Sequence, residues 1–125
     1  MPPAAAAVID AYWFAAEARD WSAFAALLSD DVIYEVPQTH ERVRGRDAYL
    51  AFNVEYPGDW HVVVERAVGS GAHGASWTTF TVGEEVMTGL CFFDLDSEGR
   101  IARLADFWPE PYDPPPGREH LVQRW

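Results

Sequence analysis

The chain contains no lysine; all nine of its basic residues are arginine. Without an ε-amine there is neither a Schiff-base nucleophile nor a Ser-Lys pair, so those covalent mechanisms are excluded. Cysteine is nearly absent too. Cys91 is the only one, which rules out an internal disulfide and leaves nothing that requires an oxidising compartment. Positive charge is also short: 20 acidic residues against 9 basic ones give a formal net charge of -11, and the pI is near 4.5. A surface of that sign repels phosphate backbones and anionic lipid, and no basic patch interleaved with aromatics occurs, so neither nucleic acid nor membrane is expected as a partner. No long apolar run is present. The opening stretch lacks a basic n-region and reaches Asp10 before it can become a signal or spanning helix, so a cytoplasmic location is expected.

Metal chemistry has no foothold in the pattern. His40, His61, His73 and His120 are scattered, with neither His-x-His nor His-Glu-x-x-His spacing, and no metal or other cofactor is expected. Gly69-Ser70-Gly71-Ala72-His73-Gly74 satisfies G-x-G-x-x-G, but Ala75 to Phe80 after it reads as a strand. A dinucleotide fingerprint needs a helix N-terminus there, so this stretch is a hairpin connection.

What is present suffices for one domain. A chain of 125 residues, 49% hydrophobic and 14% aromatic, can bury a single core and is too short for two ordinary ones. Ala4 to Arg19 reads as a helix with a broad apolar face through Val8, Tyr12 and Ala15. Asp20 or Ser22 caps a shorter helix that buries Phe24, Leu27 and Leu28. Val32 to Val36 is a strand, Pro37 to Arg46 a polar loop, and Asp47 to Asn53 a third helix. Strands then follow at about Trp60 to Val68, Ala75 to Val82, Val86 to Leu95 and Arg100 to Trp108, the last two joined by Asp96-Ser97-Glu98-Gly99. Helices first and strands later argue for an α+β fold: one curved antiparallel sheet closed on its concave face by the first helix. The domain is expected over 1–111, and the proline-rich 112–125 as a tail packing on that domain or on a partner protomer.

Parity places the chemistry. Side chains alternate faces along a strand, so Leu104, Asp106 and Trp108 share one face, Met87, Gly89, Cys91 and Phe93 share one on the preceding strand, and Tyr34 and Val36 share one on the first. With Tyr12, Phe24 and Phe52 contributed by helices, these residues outline an apolar, largely aromatic hollow suited to a flat small molecule. Asp106 is its one carboxylate. On a covered face, desolvation would raise its pKa and fit it for proton transfer; on an open face it would be surface decoration. Tyr12 or His61 is the candidate to polarise a substrate oxygen, although a packed tyrosine and a surface histidine are the blander readings of each.

Three motifs in order carry a family resemblance: Arg19-Asp20-Trp21 at the end of the helical opening, Arg44-Gly45-Arg46-Asp47-Ala48 entering the third helix, and Gly99-Arg100-Ile101 running to Asp106-Phe107-Trp108. Together they resemble the SnoaL-like branch of the nuclear transport factor 2 (NTF2-like) superfamily, over Ala4 to about Pro111. The resemblance implies a cone-shaped, cystatin-like α+β fold enclosing an apolar pocket, often homodimeric, in a group that includes ketosteroid isomerases, polyketide cyclases, limonene epoxide hydrolases, dehydratases and non-catalytic binders. By register with the isomerases, Tyr12 falls on the oxyanion-donating tyrosine and Trp108 on a pocket tryptophan. Val36 replaces the general-base aspartate before proline, and Cys91 stands where the second oxyanion donor would be. Asp106 resembles the last acid of the epoxide hydrolases' Asp-Arg-Asp set, whose other two members have no counterpart around Trp77 to Thr79.

Two functions are therefore expected to compete. One is an isomerase, cyclase or dehydratase type of enzyme using Asp106 as acid or base on an apolar substrate, with Tyr12 or His61 assisting. The other is a non-catalytic hydrophobic-ligand binder or dimeric scaffold. The expected ligand-binding residues are Trp108, Cys91, Phe93, Tyr34, Val36, Phe52, Met87 and Leu104.

Overall fold

In the computed structural model, which describes residues 4–125, three helices precede most of the sheet: α1 (Ala5–Ala18), α2 (Trp21–Ala26) and α3 (Arg46–Val54). The strands are β1 (Leu28–Val36), β2 (Glu41–Arg44), β3 (Trp60–Ser70), β4 (His73–Val82), β5 (Glu85–Leu95) and β6 (Ile101–Phe107). They form a single six-stranded sheet in the order β2-β1-β6-β5-β4-β3. The α+β class and the concave sheet closed by helices are as expected from the sequence.

The sheet is mixed rather than wholly antiparallel. The short turns between β3, β4, β5 and β6 enforce antiparallel neighbours, whereas β1 pairs with β6 in parallel. All of the intervening sheet separates those two strands in sequence, so no hairpin fixes their relative direction. The second departure is β2, which lies inside the stretch expected to be a loop. Glu41-Arg42-Val43-Arg44 pairs with the end of β1 at the sheet edge, and its charged residues conceal the alternation that marks a strand.

Local chemistry explains how the helices are set. Arg19 ends α1 in the left-handed conformation (φ 58°), with the amides of Arg19 and Asp20 returning to the carbonyls of Ala16 and Ala15. Asp20 then caps α2 by accepting from the Ala23 amide at 3.2 Å. The glycine-rich stretch is the β3–β4 hairpin, where Ser70 faces His73 and Gly71 takes φ +62°. Gly69 and Gly74 also make room for α1: a Cβ on Gly69 would sit 2.5 Å from the Ala6 nitrogen, and one on Gly74 would sit 2.6 Å from Ile9 Cδ1. The helix therefore presses directly on the sheet, burying Val8, Ile9, Tyr12, Ala15 and Ala16 against the concave face.

The tail beyond the sheet is mostly exposed. Tyr112, Leu121, Val122 and Trp125 are all open to solvent, and its one regular element is a single 3-10 turn at Glu119–Leu121. No helix among the described residues is long and apolar enough to cross a membrane.

Candidate active site

β6 delivers Asp106 to the concave face between buried Leu104 and half-buried Trp108, as parity requires. The carboxyl is only 6% exposed. Tyr34 of β1 donates its hydroxyl to Asp106 Oδ2 at 2.6 Å, a contact made possible because β1 lies beside β6 with Tyr34 in register with Leu104. Burial pushes the carboxyl up to about 6 from its ordinary 3.8, against the opposing pull of hydrogen bonds from Tyr34, the Trp108 indole and the Phe107 amide. Asp106 is thus ionised at neutral pH but within reach of protonation, the range suited to proton transfer.

A second pair of hydroxyls stands beside it. Tyr12 of α1 and Tyr49 of α3 are hydrogen-bonded to each other, and the Tyr49 ring stacks on Tyr34 with centroids 4.7 Å apart. Desolvation raises the pKa of both Tyr12 and Tyr49 well above the usual phenol value, and the Tyr34 pKa rises for the same reason, reinforced by the Asp106 charge. All three therefore remain protonated. A hydroxyl pair holds two protons and spends one on its internal bond, leaving the other for a ligand oxygen.

These groups line a narrow inner chamber of about 40 Å³, walled by Tyr12, Trp13, Tyr34, Tyr49, Phe52, Tyr56, Trp60, Phe80 and Trp108. That is room for little more than one water. Tyr34, Phe52, Tyr56 and Trp108 also border a vestibule of about 480 Å³, whose remaining walls are Val36, Thr39, Glu41, Arg42 and Val43. Trp108 is one of the four rings shared by the two spaces. Gly89 on β5 makes space for its six-membered ring, since a Cβ there would come within 3.2 Å of it, and Phe80 packs edge-on at 5.2 Å. The Gln38 side-chain amide fixes the Trp108 backbone from the other side, accepting from its N–H at 2.5 Å and donating to its carbonyl at 3.3 Å.

The expected site residues divide three ways. Asp106, Tyr12, Tyr34, Phe52 and Trp108 meet at the chamber, and Val36 borders the vestibule. Cys91, Phe93 and Leu104 face the same way but are sealed in the core, outside the walls of either space; the Tyr12 ring covers Phe93 at 5.3 Å, and Cys91 lies beside Asp106 in the ladder. Met87 is half-buried opposite Phe80 and likewise lines neither space. His61 is on the wrong face. Its neighbours Trp60 and Val62 are buried, so strand alternation turns His61 outward, where Nδ1 meets Glu17 at 2.8 Å and Nε2 meets Asp59 at 3.2 Å. Those acids raise the imidazole pKa, and in return the Glu17 pKa falls despite opposing desolvation. The residues sequence reasoning missed are Tyr49, Tyr56 and Gln38, none of which stands on an alternating strand that would reveal its direction.

The comparisons with known proteins accord with this architecture. The SnoaL-like domain family matches residues 9–104. The chain belongs to that family. Among solved structures, a Kribbella flavida protein described as a candidate ketosteroid isomerase is 48% identical, with a TM-score of 0.92 over 95% of this chain and 87% of that one. An NTF-2 like protein of unknown function from Burkholderia xenovorans is 24% identical, with a TM-score of 0.80 over 94% and 92% of the two chains, a likeness of fold alone. A candidate polyketide cyclase from Pseudomonas putida is 25% identical, with a TM-score of 0.69 over 82% and 89%. None of the curated proteins matches the chain.

Proposed function

We propose that this SnoaL-like protein is an acid-base enzyme of the isomerase, cyclase or dehydratase type, acting on a compact apolar substrate that carries an oxygen. The supporting observation is the single buried carboxyl, tuned to about 6, at the end of an aromatic-walled chamber with a tyrosine hydroxyl pair on its wall. Chamber size restricts how a substrate reacts. Only the reacting group fits inside, and the body stays in the vestibule, whose volume is within the range of small-molecule sites.

Ionised Asp106 takes a proton from carbon or oxygen on a carboxylate lone pair not engaged by its Tyr34, Trp108 and Phe107 donors, and returns it to another position. Charge developing on the substrate oxygen is met by the free proton of the Tyr12–Tyr49 pair. Val36 offers no second base, so one carboxyl must perform both transfers. The test is conversion of oxygen-bearing apolar substrates, keto compounds and epoxides first, by wild type and by Asp106→Asn. Loss of turnover with the fold intact supports the reading, and undiminished turnover in the variant refutes it.

A non-catalytic binder is the second reading, favoured by one observation: Asp106 Oδ2 and the Tyr12 hydroxyl both already have protein partners. It is distinguished by ligand retention without product. In either case we propose a homodimer formed through the outer sheet face, where Val68, Trp77 and Phe92 are exposed side by side around a shallow depression, with the tail laid on the partner.

A further inference from the structure

Glu41 is the one acidic residue lining the vestibule, and proton transfer at Asp106 does not use it. In the β1–β2 ladder it faces Val36, and Val43 faces Tyr34, so Glu41 and Val43 share the inward side of the sheet with those two residues. Arg42, between them, is turned to the opposite side, where its guanidinium donates to Glu35 Oε2 from Nε at 2.8 Å and from a terminal nitrogen at 2.5 Å. Arg103 donates to the other Glu35 oxygen at 2.5 Å. The only arginine bordering the vestibule is thus committed to an acid behind the sheet. Glu41 has no cation partner among the described residues; its one side-chain contact is the Thr39 hydroxyl, which donates at 2.5 Å.

The vestibule therefore has one carboxylate in its own wall, Glu41, and a second, Asp106, in the chamber that adjoins it. Between them stand the rings of Tyr34, Phe52, Tyr56 and Trp108. Aromatic faces carry negative quadrupole potential and attract cations, the more so where water is excluded. Carboxylates and ring faces act with the same sign on whatever lies among them. The overall charge of -11 adds to that field and disfavours anions.

We infer that the vestibule selects a protonated amine carried on a flat apolar body, with the ammonium at Glu41 and the body against Tyr56 and Trp108. This rests on the reading of the cleft as a small-molecule site and narrows its ligand class. It requires no particular reaction, so it is tested by equilibrium binding alone.

Three probes share one indole body and differ only at the end of a two-carbon or one-carbon chain: tryptamine (ammonium), tryptophol (hydroxyl) and indole-3-acetate (carboxylate). Calorimetric titration at pH 7 and low salt is expected to rank them in that order, with tryptamine at least about tenfold tighter than indole-3-acetate. Glu41→Gln is expected to weaken tryptamine about fivefold while leaving tryptophol unchanged, an effect of the size of a partly exposed ion pair. Glu41 is on an exposed edge strand, and an unchanged circular dichroism spectrum with unchanged tryptophol affinity excludes misfolding. Arg42→Gln is expected to leave the ranking as it is.

Preference for indole-3-acetate, lost in Arg42→Gln, would overturn the inference by giving the mouth to the arginine. A ranking insensitive to Glu41→Gln would overturn it as well, as would failure of all three probes to bind. Asp106-dependent turnover can survive each of these results, and the amine preference can hold in a protein that converts nothing.

Discussion

Asp106 carries the largest physical consequence of any residue in the chain. A carboxyl whose pKa is raised on folding binds its proton more tightly in the native state than in the unfolded one. Between about 3.8 and about 6 the native state therefore holds more protons, and stability falls as pH rises through that window, reaching its full cost above 6. A shift of about two units corresponds to about 3 kcal/mol, an upper bound on what the ionised carboxyl costs the folded state. Asp106→Asn is accordingly expected to be more stable than wild type at pH 8, by about 1–3 kcal/mol in urea unfolding, with the gap closing toward pH 4. A variant less stable at pH 8 would mean that the carboxylate stabilises the fold. Tyr34→Phe removes a donor that favours the ionised form, so the Asp106 pKa should rise further and the acidic limb of any pH–rate profile should move to higher pH. His61→Ala should leave turnover unchanged, because that imidazole is engaged on the surface by Glu17 and Asp59.

At the scale of elements, the glycines of the β3–β4 hairpin set the height of α1 over the sheet. Gly74→Val would drive Cβ into Ile9 and the Val68 carbonyl, and should cost about 2 kcal/mol or more in chemical denaturation, since a packed interface cannot absorb the added volume. A neutral substitution would show that α1 has room to lift. The parts of the site legible in the sequence were those on regular strands. Period-two alternation alone brings Leu104, Asp106 and Trp108, and likewise Cys91 and Phe93, to the concave face, as observed. Alternation gives direction but not depth, which is why Cys91, Phe93 and Leu104 turned out to be core beneath the site rather than its walls. His61, which the sequence offered as a helper of Asp106, instead lies on the outer face, because Trp60 and Val62 on either side of it are the buried ones. β2 escaped notice because an edge strand of charged residues has no apolar rhythm. Tyr49, Tyr56 and Gln38 were hidden because each acts across the fold, on Tyr12 or Tyr34, at the vestibule wall, and on Trp108, and nothing local to them records that meeting.

At the scale of the whole molecule, the sheet divides two kinds of apolar surface. The concave one is consumed by helices and by the aromatic chamber; the convex one leaves Trp77 46% and Phe92 55% exposed on adjacent strands. If two protomers pair through that face, Phe92→Arg should convert a dimer into a monomer in light scattering at micromolar concentration while leaving the secondary structure unaltered. A wild-type protein already monomeric would remove the proposed interface.

All of this depends on a shielded carboxyl in the chamber between sheet and helices. The direct measurement is a pH titration of protein labelled at aspartate Cγ with carbon-13, followed by NMR, with Asp106→Asn identifying the resonance. The expected result is one carboxyl titrating with a midpoint near 6, missing from the variant and displaced by any ligand that enters the chamber. A midpoint near the ordinary 3.8 for that resonance would place Asp106 in contact with bulk water and contradict the assignment of this site.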